Sequence, residues 1–464
     1  MKAKFFFLSI AILTLTICGM NNQLNKDVGL REPNFIEQKF DSVFTALYKE
    51  YQIRGDVILG LVNKDGLVHS LALDDNIFKG KKPTLNNDSP IYLASHTKSF
   101  TGTLLRKLEE EGKIDLSRSL HDYLPQLTLD GSVDTKSISI RQVLNHSHGL
   151  YSMPFVAKTA FMGYSGGNNT LISNFNETFS YDSTHRFRYA NTGPVLAAIV
   201  AEEKLGIDWR EETKNKIFKP LGMNSSSSRV SDFNKKDIRP FFAININGEL
   251  LKTGFYKNDI VMSAAGGTLS TVNDLSKWLS ANLRQDERIF KTNAAWKDLH
   301  QPTVKQDRTY FTYKRFGYSL GWDVAQYEND TILTRFGSYA GSIFHASIIP
   351  TKDLGFIGYS SDERAAMITH LAANYAYNMI TQPEKADHIL EEEKATFDRV
   401  FKIVEERLET VSASDRIEAN KEYKHLIGEY DLNDIWPNIK IKKEGKFLKL
   451  YFGELEGYIY ARDE

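Results

Sequence analysis

Apolar and polar positions along the chain change period several times, and each change marks an element. Phe40, Val43, Phe44 and Leu47 recur at helical spacing, so residues 35–51 read as an amphipathic helix. Two apolar runs follow, 57–62 and 67–72, around Asn63-Lys64-Asp65-Gly66, and apolar runs about a turn of that composition predict a β-hairpin. Helical patterns return at 101–111, 195–203, 273–283 and 365–380, and strand-like runs at 316–322, 343–349 and 354–359. Gln382-Pro383 marks a boundary, after which Phe397, Val400, Phe401, Val404 and Leu408 form one apolar stripe on a charged helix, which reads as a packing helix. Past residue 426 the period becomes two: Ile439 and Ile441 alternate with lysines, Glu444-Gly445 turns the chain, and 447–452 answers as a strand. That last segment is too short to bury a core of its own.

The N-terminus has a different character. Lys2 and Lys4 precede an apolar run at 5–17, which reads as a signal peptide because it falls short of the ~20 apolar residues of a spanning helix. Cys18 follows directly, in Leu15-Thr16-Ile17-Cys18-Gly19. This resembles the lipobox of bacterial lipoproteins, whose cysteine becomes a lipidated N-terminus, although Ile17 stands where a small residue is expected. The expectation is an exported protein, secreted or in the cell envelope (periplasmic or a membrane-anchored lipoprotein). Cys18 is the lipidation candidate, 1–18 the signal peptide and 19–34 a polar tether.

Composition narrows the classes. A chain of 464 residues with 41% hydrophobic content can bury a large core in two domains or more. Fifty-eight Lys+Arg against 59 Asp+Glu leave a formal charge of −1, without the basic excess of a nucleic-acid binder. Cys18 is the single cysteine, so disulfides within the chain and cysteine-based zinc sites are excluded. His146 and His148 lie two apart with no third ligand nearby, and read as a structural loop. No metal or cofactor is expected.

The candidate chemistry starts at Ser95-His96-Thr97-Lys98, just ahead of the helix at 101–111. A serine opening a helix lies near its positive end, and a lysine three residues on shares its face one turn above. This is the S-x-x-K arrangement of serine acyl-enzymes. Alone it is a weak signal, because a helix-capping serine and a solvated lysine give the same pattern. Further on, Tyr189-Ala190-Asn191 opens another helical run, and Arg335-Phe336-Gly337-Ser338 leads into a strand.

Taken in order, Ser95-x-x-Lys98, Tyr189-x-Asn191 and Gly337 resemble the three-part signature of the class C β-lactamase-like, penicillin-binding-protein-like serine hydrolases. That family includes D,D-peptidases, D-aminopeptidases and esterases. Gly112-Lys113-Ile114-Asp115-Leu116, Tyr123-Leu124-Pro125, Leu144-Asn145-His146-Ser147-His148-Gly149-Leu150, Pro220-Leu221-Gly222-Met223 and Ala265-Gly266-Gly267 also match its recurring phrases. The resemblance covers 35–380. It implies an α+β, β-lactamase-like fold: an antiparallel sheet flanked by helices, with a helical subdomain. Residues 381–425 would be a helical linker, and 426–464 a small β-rich extension, apparently cut short.

The same resemblance implies roles. Ser95 would form an acyl-enzyme, with Lys98 and Tyr189 a coupled pair of candidate bases between which the assignment stays open. Tyr189 can be pictured as a phenolate between Lys98 and Arg335. Asn191 would donate to the substrate amide or to Lys98, or else be a turn residue or helix cap. The backbone N–H groups of Ser95 and Ser338 would form the oxyanion hole, with Gly337 allowing close approach. The partner would be a small molecule or peptide, cell-wall-derived, cleaved at an ester, amide or β-lactam bond. Arg335 departs from the family pattern, which has lysine or histidine there. Arginine keeps its proton but can grip a carboxylate with two parallel hydrogen bonds. This favours substrates with a free carboxylate, such as peptides ending in a D-residue; the other use is to neutralise Tyr189 or pair with a structural acid. The competing reading is a low-turnover penicillin-binding or sensor protein on the same fold, which acylates and then stalls. A purely structural envelope protein would have no need of the intact Ser95, Lys98, Tyr189 and Asn191 set.

Overall fold

The computed structural model describes residues 33–240, 242–244, 250–252, 257–408, 416–432 and 435–460. The signal-peptide run, Cys18 and nearly all of the tether lie outside the described residues. Helix α1 (Pro33–Glu50) realises the first amphipathic pattern, with the Phe40 and Phe44 rings 4.7 Å apart.

The hairpin expected at 57–72 forms as β1 (Val57–Asn63) and β2 (Gly66–Leu73). Six strands from the second half complete its sheet: β3 (Val304–Tyr310), β4 (Tyr313–Tyr318), β5 (Asp323–Tyr327), β6 (Asp330–Tyr339), β7 (Ser342–Ile349) and β8 (Leu354–Ser360). The order is β2-β1-β8-β7-β6-β5-β4-β3, antiparallel throughout. β8 is buried along its whole length, as its uninterrupted apolar run requires of a strand covered on both faces. Ile357 and Tyr359 enter the main core beneath Trp278 and Leu279 of α4 (Val272–Arg284). Leu354 faces the other way, into a second cluster with Tyr377 of α5 (Ile368–Thr381). A separation of three residues along a strand puts two side chains on opposite faces.

Helices α2 (Thr97–Glu110) and α3 (Thr192–Leu205) lie inside the main core. α3 is apolar from Val195 to Ala201, and a helix apolar on every side is stable only when surrounded. That burial fixes Asn191 and Tyr189, which lead into it.

Two strands differ from what the pattern offered. The polar strand β3 escaped the apolar pattern because it is an edge strand with most side chains exposed. The strand sought at 316–322 is shifted to Tyr313–Tyr318, and Ser319 closes a turn by donating its N–H to Trp322 O at 2.9 Å. The apolar stripe expected to pack does so: α6 (Ala386–Leu408) buries Ala386, Leu390, Phe397 and Phe401, and the Tyr51 ring meets Phe397 edge-on at 4.6 Å. The C-terminal strands form a separate four-stranded sheet of β9 (Gly428–Tyr430), β10 (Ile439–Glu444), β11 (Phe447–Phe452) and β12 (Leu455–Tyr458). Its turn at Gly453-Glu454 is tied to the larger domain, Glu454 N–H donating to Met162 O at 2.8 Å.

The seam under α6 carries a titratable latch. Glu393 accepts both Asn374 Nδ2 bonds, at 2.8 and 2.9 Å, and the Tyr327 hydroxyl at 3.2 Å. Burial pushes its carboxyl up to about 7, with these hydrogen bonds pulling the other way. A raised folded value means the native state holds a proton that the unfolded chain releases. The associated stability is therefore full below about 4.5 and lost as pH rises through about 7. Glu393→Gln is expected to remove this slope and to gain stability on the order of 2 kcal/mol at pH 8. Denaturant unfolding at pH 5 and pH 8 checks it, and equal slopes for both proteins would remove the latch.

Candidate active site

Ser95 lies in the 3₁₀ turn Ala94–His96, which runs directly into α2. The approach is fixed by Leu93 N–H, which donates to Thr268 O at 3.0 Å. Ala94 then adopts φ +45°, a left-handed conformation that costs a non-glycine residue roughly 1–3 kcal/mol. The kink leaves Ser95 partly exposed and turns Lys98 inward, to 1% exposure. Ser95 is not the helix cap: that position belongs to His96, which makes no side-chain capping bond.

Lys98 is held on three sides. Its Nζ is 3.2 Å from Ser95 Oγ, 2.7 Å from Asn191 Oδ1 and 2.6 Å from Ala265 O. Burial drives its pKa well below the ordinary lysine value, reinforced by the positive charges of Arg335 and Lys257 and opposed by Asp323. A neutral amine has two N–H bonds and one lone pair. In the neutral form that this shift favours, the carbonyls of Asn191 and Ala265 take both N–H bonds and the lone pair faces the Ser95 hydroxyl. Asn191 stands at the N-cap of α3 but makes no capping bond; its carboxamide serves Lys98 instead.

Tyr189 Oη accepts a hydrogen bond from Arg335 Nη2 and is also bonded to the Ser95 side chain. Its ring lies 4.8 Å from Lys98 Nζ and 4.7 Å from the Arg335 guanidinium carbon, and is backed by the His146 ring at 4.8 Å. Burial raises the Tyr189 pKa, and the pull of Arg335 and Ser95 does not reverse it. The group is thus a phenol at rest, not the phenolate the sequence suggested.

Arg335 is 4% exposed and turned onto protein acceptors. Its Nη1 donates to Asp323 Oδ2 at 2.8 Å, Nε to Ser95 O at 3.2 Å and Nη2 to Tyr189. Of the uses open to it, pairing with an internal acid beside Tyr189 is the one the geometry shows; its fork is not presented for a bidentate grip on a carboxylate. Asp323 is a site residue the sequence did not flag. It opens β5 without any periodic signal, and the one available clue was that a buried arginine needs an acid. Gln306 Nε2 also donates to it at 3.0 Å. Ala265 was missed as well, because it acts through its backbone carbonyl.

Gly337 brings β6 against the Ser95 turn. A Cβ there would lie 2.2 Å from Leu93 O and 2.9 Å from Ser95 N. Ser338 follows on the same strand and is exposed. His146 and His148 are buried behind the site, where His148 Nδ1 accepts Leu150 N–H at 3.0 Å and His146 Nδ1 accepts Ala190 N–H at 3.4 Å.

A Ser-x-x-Lys helix whose start meets an inner strand of an antiparallel sheet is the arrangement of the β-lactamase fold. The beta-lactamase family model matches residues 40–375, and the chain belongs to that family of serine hydrolases. In sequence it is similar to an unguisins hydrolase from Aspergillus campestris, 24% identical over 311 residues, 63% of this chain and 54% of that protein. The chain thus matches about half the length of that relative. In structure it is similar to an octameric penicillin-binding protein homologue from Pyrococcus abyssi, with TM-score 0.62, 21% identity and coverage of 91% of this chain and 89% of the other. It is also similar to the D-amino acid amidase of Ochrobactrum anthropi, with TM-score 0.61, 19% identity and coverage of 77% and 100%. At these identities the structural likeness establishes the fold.

Proposed function

We propose that this protein is an exported hydrolase that cleaves an ester or amide bond of a small molecule or peptide through an acyl-enzyme on Ser95. The observation that carries this reading is the seating of Lys98, whose two acceptors at Asn191 and Ala265 aim its lone pair at Ser95 Oγ. Ser95 Oγ attacks the carbonyl carbon while its proton passes to Lys98 Nζ. The oxyanion forms against the N–H groups of Ser95 and Ser338. On collapse, the Tyr189 phenol gives its proton to the leaving nitrogen or oxygen, and the resulting phenolate is held by Arg335. Lys98 ammonium then restores the phenol, so both residues return to their starting forms. Water repeats the sequence on the acyl-enzyme and releases the acid. Arg335 and Asp323 act as positioning residues in this scheme.

The similarity to a D-amino acid amidase and to a penicillin-binding protein homologue supports amides of D-residues, such as cell-wall peptides, as the substrates to test first. A fluorophosphonate probe is expected to label the wild-type protein and not Ser95→Ala. Labelling that survives the substitution would sink the reading. A fluorescent penicillin adduct that persists without release would favour the low-turnover penicillin-binding alternative. Export is tested by the mass of the mature protein, which would lack residues 1–17 and carry a lipid on Cys18 if the lipoprotein form is made.

A further inference from the structure

Lys257 is a second buried lysine beside the site, and the mechanism above does not use it. Its side chain is enclosed, with 6% exposure, yet its hydrogen bonding amounts to one long contact, to Val261 O at 3.4 Å. Among the described residues no carboxylate lies within ion-pair distance of it. The nearby Glu454 carboxylate is committed to Asn258 Nδ2 at 2.6 Å. Two aromatic rings flank the ammonium, Tyr339 at 4.3 Å and Phe161 at 5.8 Å, and these rings stack on each other at 5.7 Å and 16°. Cation–π contact of this kind favours the charged form of the amine but gives its N–H bonds no acceptor.

The location ties this group to Ser95. Tyr339 is two residues past Gly337 on β6 and therefore shares its face, the one turned to the nucleophile. Two strand residues span about 7 Å, the reach from a scissile carbonyl to a charge on the same or the next substrate unit. Ser338, between them, is exposed, and Phe161 is 38% exposed, so the aromatic pair borders open surface. The segment that carries Lys257 continues to Ala265, whose carbonyl holds Lys98. The walls are braced from outside by the Gly453-Glu454 turn, which bonds Met162 on one side and Asn258 on the other.

With the hydrolase reading as its premise, we propose that Lys257 is a specificity-determining residue whose ammonium, bordered by Tyr339 and Phe161, receives a carboxylate borne by the acyl part of the substrate. A buried ammonium lacking acceptors is costly, and an incoming carboxylate supplies the missing charge and hydrogen bonds. Burial alone brings the amine down to about 7, so a bound anion would restore its full charge. Because Arg335 is tied to Asp323, carboxylate selection rests on Lys257 in this protein.

The test uses the full chain and two esters of equal length, p-nitrophenyl hydrogen glutarate and neutral p-nitrophenyl valerate. The readout is the ratio of their Ser95 acylation rates, taken from the p-nitrophenolate burst at pH 6.5. Wild type is expected to favour the glutarate, and Lys257→Met to shrink that ratio by about tenfold or more, with Lys257→Arg retaining part of it. An equal loss for both esters in Lys257→Met would mean a merely structural lysine and would overturn the proposal. A wild-type protein with no preference, or acylated by neither ester while still labelled by fluorophosphonate, overturns it too. Failure of the fluorophosphonate label on wild type is a different result, and removes the hydrolase reading itself.

Discussion

Lys98→Met is expected to slow acylation of Ser95 by about 10²–10⁴-fold, the usual worth of a positioned general base. Methionine fills the same volume without an amine, so it separates the loss of the base from the loss of bulk. The pH profile is the sharper measurement. Burial, with Arg335 and Lys257 nearby, holds the Lys98 amine well below its ordinary value of 10.5. A base with a depressed value is active above that value and lost as pH falls through it. The acid limb of the wild-type acylation rate is therefore expected at a pH well below the ordinary lysine value of 10.5. Stopped-flow rates of p-nitrophenolate release across pH 5–10 check this. A limb centred near 10 would show that Lys98 is charged at rest and would return the role of base to Tyr189. The limb should vanish in Lys98→Met.

Gly337→Ala is expected to cost a comparable factor in acylation for a purely steric reason. The added methyl would sit 2.2 Å from Leu93 O and 2.9 Å from Ser95 N, both backbone atoms. β6 cannot easily yield, because it is hydrogen-bonded to β5 on one side and β7 on the other. The turn carrying Ser95 must move instead, and it already holds the strained Ala94. A displacement of about 1 Å at a reacting atom can cost roughly 10²-fold in rate. The stability penalty should be smaller in proportion, about 1–3 kcal/mol for overpacking. Fluorophosphonate labelling rates set beside thermal melts distinguish the two effects. A folded Gly337→Ala protein labelled at the wild-type rate would mean that β6 does not define the nucleophile's position.

The motif residues were readable because their chemistry depends on local spacing. Ser95 and Lys98 are three apart, in a 3₁₀ turn and the first turn of the helix it runs into, so sequence spacing alone brings them near each other. Gly337 was readable as the third motif of the resemblance; that a Cβ there would meet Leu93 O and Ser95 N is seen only in the fold. Arg335 shows where that kind of reading stops. Its side chain can grip a ligand, stabilise a phenolate or bond an acid, and the choice depends on Asp323, which lies across a strand pair. Tyr189 is similar: as phenol or phenolate it has the same neighbours, and the extent of its burial decides. The stripe on α6 announced a packing helix, but that Phe397 and Phe401 are buried while Val400 and Val404 are half-buried depends on what lies beneath.

What the sequence determined by itself was the α+β class, the hairpin at the start of the sheet, the helices that carry the motifs, and the acyl chemistry implied by Ser95, Lys98, Tyr189 and Asn191. The hairpin and the helices follow from periodicity, which a chain carries whatever it packs against; the α+β class and the acyl chemistry are what the resemblance of the three ordered motifs to a known family implies. The tertiary structure alone decided that Lys98 is buried against Ser95 with its pKa driven well down, that Arg335 is bound to Asp323, and that Lys257 is enclosed beside Tyr339 with no acid in ion-pair distance among the described residues. Protonation state and pairing depend on which charges and carbonyls are brought close and how much water is excluded. Both are set by contacts between segments far apart in the chain, and these exist only after folding.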